Sequence, residues 1–138
     1  MTYNFMVLED DDIFMELNNK IISKSGFASK VENFDYAQAG LDYLFQLSAE
    51  GKSFPDFILL DLRMPIINGF EFLEKLKSIP DDRLSHTKIH LLTSSLDEED
   101  IERAFSYPHV WGFHSKPLNL KKLQAIVTAT AVIRPGKI

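Results

Sequence analysis

The chain has 138 residues, no cysteine, a formal charge of −5 and an apolar share of 45%. This length and composition suit one globular domain, and we expect residues 1–138 to form it without an output domain. The absence of cysteine excludes disulfides and thiolate metal sites, and the negative charge argues against direct nucleic-acid binding. The first residues lack the basic stretch and long apolar core of a signal peptide, and no apolar run approaches about 18 residues, so we expect a cytoplasmic protein without a membrane partner.

Short apolar runs alternate with amphipathic stretches along the chain. The run "NFMVLE" at 4–9 predicts a strand, because it is almost continuously apolar. The stretch after it predicts a helix, with Asp12 placed to cap its start and Gly26 placed to end it. The apolar face of this helix consists of Ile13, Phe14, Leu17, Ile21 and Ile22.

The second and third rounds repeat this order. The run "FASKVENF" at 27–34 predicts a weaker, more polar strand that suits a sheet edge, and Asp35 can cap the helix after it. The run "DFILLD" at 56–61 is apolar throughout and ends in an acid. The helix after this third strand carries Phe70, Leu73 and Leu76 on one face.

The last two rounds complete the pattern. The run "KIHLLT" at 88–93 predicts a strand, and Asp97 is placed to cap the following helix. The run "HVWGF" at 109–113 predicts the last strand, followed by a helix of about fourteen residues. Five strand-then-helix rounds with apolar strands favour a parallel sheet covered by helices on both sides. The chemistry of such folds lies beyond the carboxyl ends of the strands.

Polar side chains collect at that predicted edge. Glu9 and Asp10 follow the first strand and Asp61 follows the third. If these strands are neighbours, about 5 Å apart, three carboxylates converge and need a cation among them, and Mg²⁺ fits best. Thr93 ends the fourth strand and Lys116 follows the fifth. Each residue alone has an ordinary structural explanation, but their coincidence favours a functional site.

A family resemblance rests on four segments in chain order. The segments are "VLEDDD", "FILLDLRMPIINGFEFL", "HLLTSS" and "GFHSKPL". Through them the chain resembles the receiver domain of two-component response regulators, and in particular the stand-alone, chemotaxis-type receivers. The resemblance implies an α/β fold of the flavodoxin-like, doubly wound (βα)5 type. Its parallel sheet would have five strands in the order 2-1-3-4-5.

The resemblance also implies the roles of the acids. Asp61 corresponds to the aspartate that accepts a phosphoryl group from a histidine kinase or a histidine phosphotransfer protein. Glu9, Asp10, Asp61 and the backbone carbonyl of Arg63 correspond to the Mg²⁺ ligands. Glu9 stands where the family more often has aspartate. Asp11 and the acid after it are then expected to start the helix without binding metal.

Five further residues match positions of the family. Thr93 and Lys116 correspond to the groups that bind the phosphoryl oxygens, and the bond from Lys116 to Pro117 is cis in the family. Thr93 and Phe113 correspond to the switch pair, although plain core packing is the alternative for Phe113. After the acceptor, Gly69 matches a position where a side chain would obstruct the backbone.

The resemblance implies a single-domain regulator of a phosphorelay. It would catalyse only its own phosphorylation and slow dephosphorylation. Phosphorylation would change partner binding at the fourth helix, fifth strand and fifth helix, where a homodimer can also form. The alternative is a non-phosphorylated receiver-like binding module, but such modules normally lack the acceptor or the lysine.

Two other classes share parts of the pattern. A haloacid-dehalogenase-type phosphatase needs an acid two residues after its nucleophile, where this chain has Arg63. A flavodoxin-like cofactor binder needs an uncharged phosphate loop after the first strand, where this chain has four acids.

Overall fold

The computed structural model describes residues 1–94 and 96–135. Strands and helices alternate along the described chain, as the sequence predicted, with one short 3₁₀ helix at Asp81–Leu84 before the fourth strand. The elements are β1 (Tyr3–Leu8), α1 (Asp12–Ser25), β2 (Ala28–Phe34), α2 (Ala37–Ala49), β3 (Phe57–Leu60), α3 (Gly69–Leu76), β4 (Lys88–Thr93), α4 (Glu98–Phe105), β5 (Val110–Ser115) and α5 (Leu120–Thr128).

The described strands form one parallel sheet in the order β2-β1-β3-β4-β5. This confirms the predicted fold class and places the polar strand β2 at an edge. Strands β1 and β3 are neighbours, with Leu8 opposite Leu60. The residues that follow these two strands therefore emerge side by side at the carboxyl edge of the sheet.

Helices cover both faces of the sheet, so the central strands are apolar on both sides. In β3, Ile58 and Leu60 belong to the larger core, and Phe57 and Leu59 belong to the core on the opposite face. All four side chains are at most 4% exposed. Each such burial contributes about 1.5–3 kcal/mol, so polar groups are excluded from the strand bodies and collect at their ends.

The start of α1 differs from the sequence prediction. Asp11, and not Asp12, is the N-cap, and its carboxylate accepts hydrogen bonds from the backbone N–H groups of Ile13 and Phe14. Ile13 in the first turn is 77% exposed, although its spacing predicted a place on the buried face of the helix. Gly26 ends the helix with a φ of 79°, as predicted.

Two other helix ends also differ. Asp35 does not cap α2, because Tyr36 is the N-cap residue and no side chain makes a cap hydrogen bond there. Helix α5 has nine residues, fewer than predicted. After it the chain pairs in parallel with β5, where the N–H of Ile133 donates to the carbonyl of Trp111 at 2.7 Å. None of the described helices is both long and apolar enough to cross a membrane.

Candidate functional site: an acidic pocket closed by a lysine

Three carboxylates meet at the carboxyl edge of the sheet, as predicted. The backbone N–H of Asp61 donates to the carbonyl of Leu8 at 3.1 Å, which continues the β1–β3 pairing past the strand ends. Glu9, Asp10 and Asp61 each place an oxygen within 4.8 Å of the others. Glu9 and Asp61 are 2% and 3% exposed, whereas Asp10 is exposed. Two buried carboxyl groups thus lie beside a third that faces solvent.

Lys116 closes this acidic pocket. Its ammonium Nζ lies 2.7 Å from Oε1 of Glu9 and 2.8 Å from Oδ2 of Asp61. The backbone N–H of Lys116 donates to the carbonyl of Thr93 at 2.9 Å, which holds the lysine at the strand ends. The bond from Lys116 to Pro117 is cis, as the resemblance implied. The lysine therefore supplies positive charge to both buried acids.

Burial and charge shift the acid–base behaviour of this pocket. Burial of Glu9 raises its pKa from 4.5 to about 7, the hydrogen bond from Lys116 acts against this rise, and the charge of Asp61 adds to it. Burial alone would lower the pKa of Lys116, but the hydrogen bonds to Asp61 and Glu9 outweigh it, so this pKa is raised. The lysine stays charged, and a second cation would further favour the ionised form of Glu9.

The loop after Asp61 is held close to the carboxylate. The backbone N–H of Arg63 donates to Oδ1 of Asp61 at 3.0 Å, while the guanidinium turns away to Asp100 on α4 at 3.1 Å. At Gly69 a Cβ would lie 2.8 Å from the Cα of Leu62, so no side chain fits there, as predicted. The backbone carbonyl of Arg63 stays a predicted metal ligand.

Thr93 and Phe113 occupy neighbouring positions in the sheet. Thr93 is the last residue of β4, is fully buried, and pairs in register with Ser115 of β5. Phe113 lies opposite Leu91 and is fully buried in the larger core. The sheet thus brings Thr93 to the edge where Asp61 and the lysine meet, and their roles in phosphoryl binding and switching stay predictions.

Sequence reasoning missed two contacts. Phe14 was assigned to the core face of α1, but its ring centroid lies 4.5 Å from Nζ of Lys116. On β4 and β5, His90 and His114 form a buried pair with 2.9 Å between Nδ1 and Nε2. No local pattern marks either contact, because the partners lie on elements far apart in the chain. The alternation of β4 and β5 could at most have indicated that both histidines point inward.

Comparison with known proteins identifies the family. Residues 5–128 match the model of the response regulator receiver domain. The probable methanogenesis regulatory protein FilR2 of Methanothrix harundinacea is 33% identical over 122 residues, which are 88% of this chain and 77% of that protein. The chain spans only about half the length of some other curated relatives.

Solved structures agree with this match. A two-component response regulator from Cytophaga hutchinsonii has a TM-score of 0.84 and 29% identity, covering 92% of this chain and 96% of its own. The Mn²⁺-bound form of response regulator Rcp1 has a TM-score of 0.71 and 26% identity, covering 94% and 98%. Because the family match runs from within β1 to the end of α5, this chain belongs to the receiver domain family of two-component response regulators.

Proposed function

We propose that the chain is a single-domain response regulator of a phosphorelay, in which Asp61 accepts a phosphoryl group from a histidine kinase or a histidine phosphotransfer protein. The observation that carries this proposal is the environment of the Asp61 carboxylate. It is buried, it lies beside Glu9 and Asp10, and its two oxygens receive hydrogen bonds from Lys116 and from the backbone of Arg63. Donors on both oxygens fix the direction of the nucleophile.

The acidic pocket suits a Mg²⁺ ion. Glu9, Asp10 and Asp61 offer carboxylate oxygens within 4.8 Å of one another, and hard divalent cations prefer such ligands. The backbone carbonyl of Arg63 would be a further ligand. Similarity to the Mn²⁺-bound Rcp1 supports a divalent-ion site. When bound, the ion supplies positive charge that offsets the charge of the phosphoryl oxygens.

The residues of the pocket account for the transfer step. An oxygen of Asp61 forms a bond to phosphorus, the bond from phosphorus to the donor's imidazole nitrogen breaks, and the imidazole keeps the electron pair. Lys116 turns from the carboxylates to a phosphoryl oxygen, and the Thr93 hydroxyl donates to another. Water later cleaves the acyl phosphate. The protein thus catalyses only its own phosphorylation and dephosphorylation.

Partner binding changes at the surface of α4, β5 and α5. In the proposed switch, Thr93 moves towards the phosphoryl group and Phe113 takes up the space that it leaves. Switching then follows from different partner affinities for the two conformations. A homodimer through this surface is part of the proposal. The segment after α5 already lies there, since Phe113 donates its N–H to the carbonyl of Ile133 at 3.0 Å. We place this signalling in the cytoplasm.

Exposed apolar side chains around the acidic pocket support a protein phosphodonor. Ile13 of α1 is 77% exposed and Ile66 in the loop before α3 is 94% exposed. Tyr36, Leu96 and Leu120 are also exposed and follow the carboxyl ends of β2, β4 and β5. Apolar surface gathered around one site is typical of a protein interaction surface.

The decisive experiment is incubation with Mg²⁺ and acetyl phosphate, followed by mass spectrometry of the intact protein. We expect one added phosphoryl group on the wild type and none on Asp61→Asn. Asp12→Asn is the matched control, because Asp12 is exposed and lies outside the carboxylate cluster. Addition that survives Asp61→Asn, or no addition to the wild type, would contradict the proposal.

A second experiment addresses the phosphodonor. Histidine kinases and phosphotransfer proteins of the source organism are screened for phosphotransfer to the wild type and to Ile13→Ser. We expect Ile13→Ser to slow transfer from the protein donor and to leave acetyl phosphate labelling unchanged. Phe45→Ser is the control, because Phe45 is 37% exposed on α2 and not at the carboxyl edge. An equal effect of both variants would argue against the exposed apolar side chains around the acidic pocket as the docking surface.

A further inference from the structure

The ammonium group of Lys116 has an aromatic partner in addition to its two acids. The centroid of the Phe14 ring lies 4.5 Å from Nζ of Lys116. This distance is within the range of a cation–π interaction, in which the negative face of the ring attracts the cation. The lysine side chain is 8% exposed. Cation–π attraction is strongest at such desolvated positions.

The ring is tied to the acidic pocket by the start of α1. The backbone N–H of Asp11 donates to Oε2 of Glu9 at 3.2 Å. The carboxylate of Asp11 in turn accepts from the N–H of Phe14, also at 3.2 Å. The first turn of the helix is therefore anchored to Glu9, and Phe14 faces the lysine from a fixed backbone.

The other cation–π contacts of lysine in the described chain lie outside the pocket. Lys77 faces the ring of Tyr107 at 5.2 Å, and its side chain is 60% exposed. Lys88 faces Trp111 at 4.2 Å, at the opposite end of β4 from Thr93. Of these three lysines, Lys116 is the one that binds Asp61, and its aromatic partner is Phe14.

We propose that Phe14 is a positioning residue for the phosphoryl transfer, because its ring holds the Lys116 ammonium in the pocket while the lysine exchanges Asp61 for a phosphoryl oxygen. This inference rests on the proposed function of Asp61. During the exchange the ammonium loses its hydrogen bonds to the carboxylates, but the ring stays in place beside it. A lysine without this partner has more rotamers open to it, and fewer of them direct Nζ at the phosphoryl oxygens.

The test weakens the ring's negative face without changing its shape. Mono-, di- and trifluorinated phenylalanine are incorporated at position 14, and the initial rate of labelling by acetyl phosphate with Mg²⁺ is measured by intact mass. We expect the rate to fall stepwise with fluorination, by about tenfold in total, as the loss of a desolvated cation–π contact implies. Phe14→Leu should be labelled as slowly as the trifluoro protein. Phe14→Trp should be labelled at the wild-type rate, because tryptophan also attracts a cation to its ring face.

The same series at Phe45 is the matched control. Phe45 lies on α2, and its fluorination should leave the labelling rate unchanged. A merely structural role of Phe14 would give a flat fluorine series, since fluorination hardly alters the ring's volume. A flat series, or a rate that rises with fluorination, would overturn the proposal.

A readout without a phosphodonor separates this proposal from the function of Asp61. In NMR spectra, the ε-methylene and ammonium protons of Lys116 should show a ring-current shift that Phe14→Leu abolishes. Exchange of the ammonium protons with water should become faster as fluorination increases. If the wild type accepted no phosphoryl group, the proposed function would fail while these signals could still show the contact. If the signals were absent, the positioning role would be overturned even in a protein that is phosphorylated.

Discussion

Removal of the Lys116 charge is the sharpest test of the electrostatics of the pocket. Lys116→Met keeps a long apolar side chain but leaves the carboxylates of Glu9 and Asp61 without their shared cation. Both acids are at most 3% exposed, and their oxygens lie within 2.8 Å of the lysine nitrogen. Breaking a buried ion pair costs about 3–5 kcal/mol, because the remaining charge has neither a partner nor water. We expect the free energy of unfolding to fall by about 3 kcal/mol at pH 8 without divalent ions.

The loss should depend on pH with a defined sign. The pKa of Glu9 in the folded protein is raised from 4.5 to about 7, chiefly by burial. Protonation therefore stabilises the folded state increasingly as the pH falls below 7 towards the unfolded value. Once Glu9 is neutral, only Asp61 loses a charged partner in Lys116→Met. The difference between variant and wild type should then be about half as large at pH 5.5 as at pH 8.

Mg²⁺ should restore stability that Lys116→Met has lost. Urea unfolding followed by circular dichroism measures the free energy of unfolding with EDTA and with Mg²⁺. A ligand at about 100 times its dissociation constant stabilises the folded state by about 2.7 kcal/mol. Lys121→Met is the control, because this exposed lysine should change stability by less than about 0.5 kcal/mol. A loss below about 1 kcal/mol at pH 8, or no response to Mg²⁺, would refute the reasoning.

Three further predictions concern features away from the lysine. Ile66 has a φ of 69°, a left-handed conformation that strains a β-branched residue and that Asn tolerates, and it is 94% exposed. Ile66→Asn should therefore raise the free energy of unfolding by about 1 kcal/mol in urea titrations. A decrease would contradict backbone strain at this position. Gly112→Ala should lower it by about 1–3 kcal/mol, because the new Cβ would collide with ring nitrogens of His90 and His114, and a neutral effect would contradict this packing. Burial lowers the pKa of His90 to about 3 and of His114 to about 4. The stability that the two neutral histidines contribute is therefore complete above pH 6.5 and is lost as the pH falls below it. For each histidine the free energy of unfolding should fall by about 1.4 kcal/mol per pH unit. In unfolding titrations between pH 6.5 and 4, His114→Gln should remove the part of this pH dependence that comes from one histidine. An unchanged dependence of the free energy of unfolding on pH would contradict the prediction.

Much of the fold could be predicted because local sequence patterns indicate which strands are buried. The unbroken apolar run before Asp61 predicted a central strand, and that strand is buried on both faces. The polar run at 27–34 predicted an edge strand, and β2 is at an edge. A strand that ends in an acid places that acid at the carboxyl edge. The convergence of Glu9, Asp10 and Asp61 therefore followed once β1 and β3 were neighbours.

The helix ends were less predictable, because they depend on hydrogen bonds that compete over one or two residues. Asp11 and Asp12 are chemically equal candidates for the cap of α1, and the hydrogen bond from the N–H of Asp11 to Glu9 favours the first. Ile13, two residues after this cap, is 77% exposed although its spacing predicted burial. Helix α5 ends at Thr128, and the chain after it pairs with β5 through Ile133. Neither outcome can be read from helical periodicity alone.

The sequence by itself determined which strands are buried on both faces and which strand ends carry charge, because unbroken apolar runs and the acids that follow them are local patterns. Only the tertiary structure decided which faces and ends meet. The ring of Phe14 reaches Lys116, and His90 reaches His114, because helix rotation and strand register bring them together. Such contacts join elements distant in the chain, and their geometry depends on the packing of everything between them.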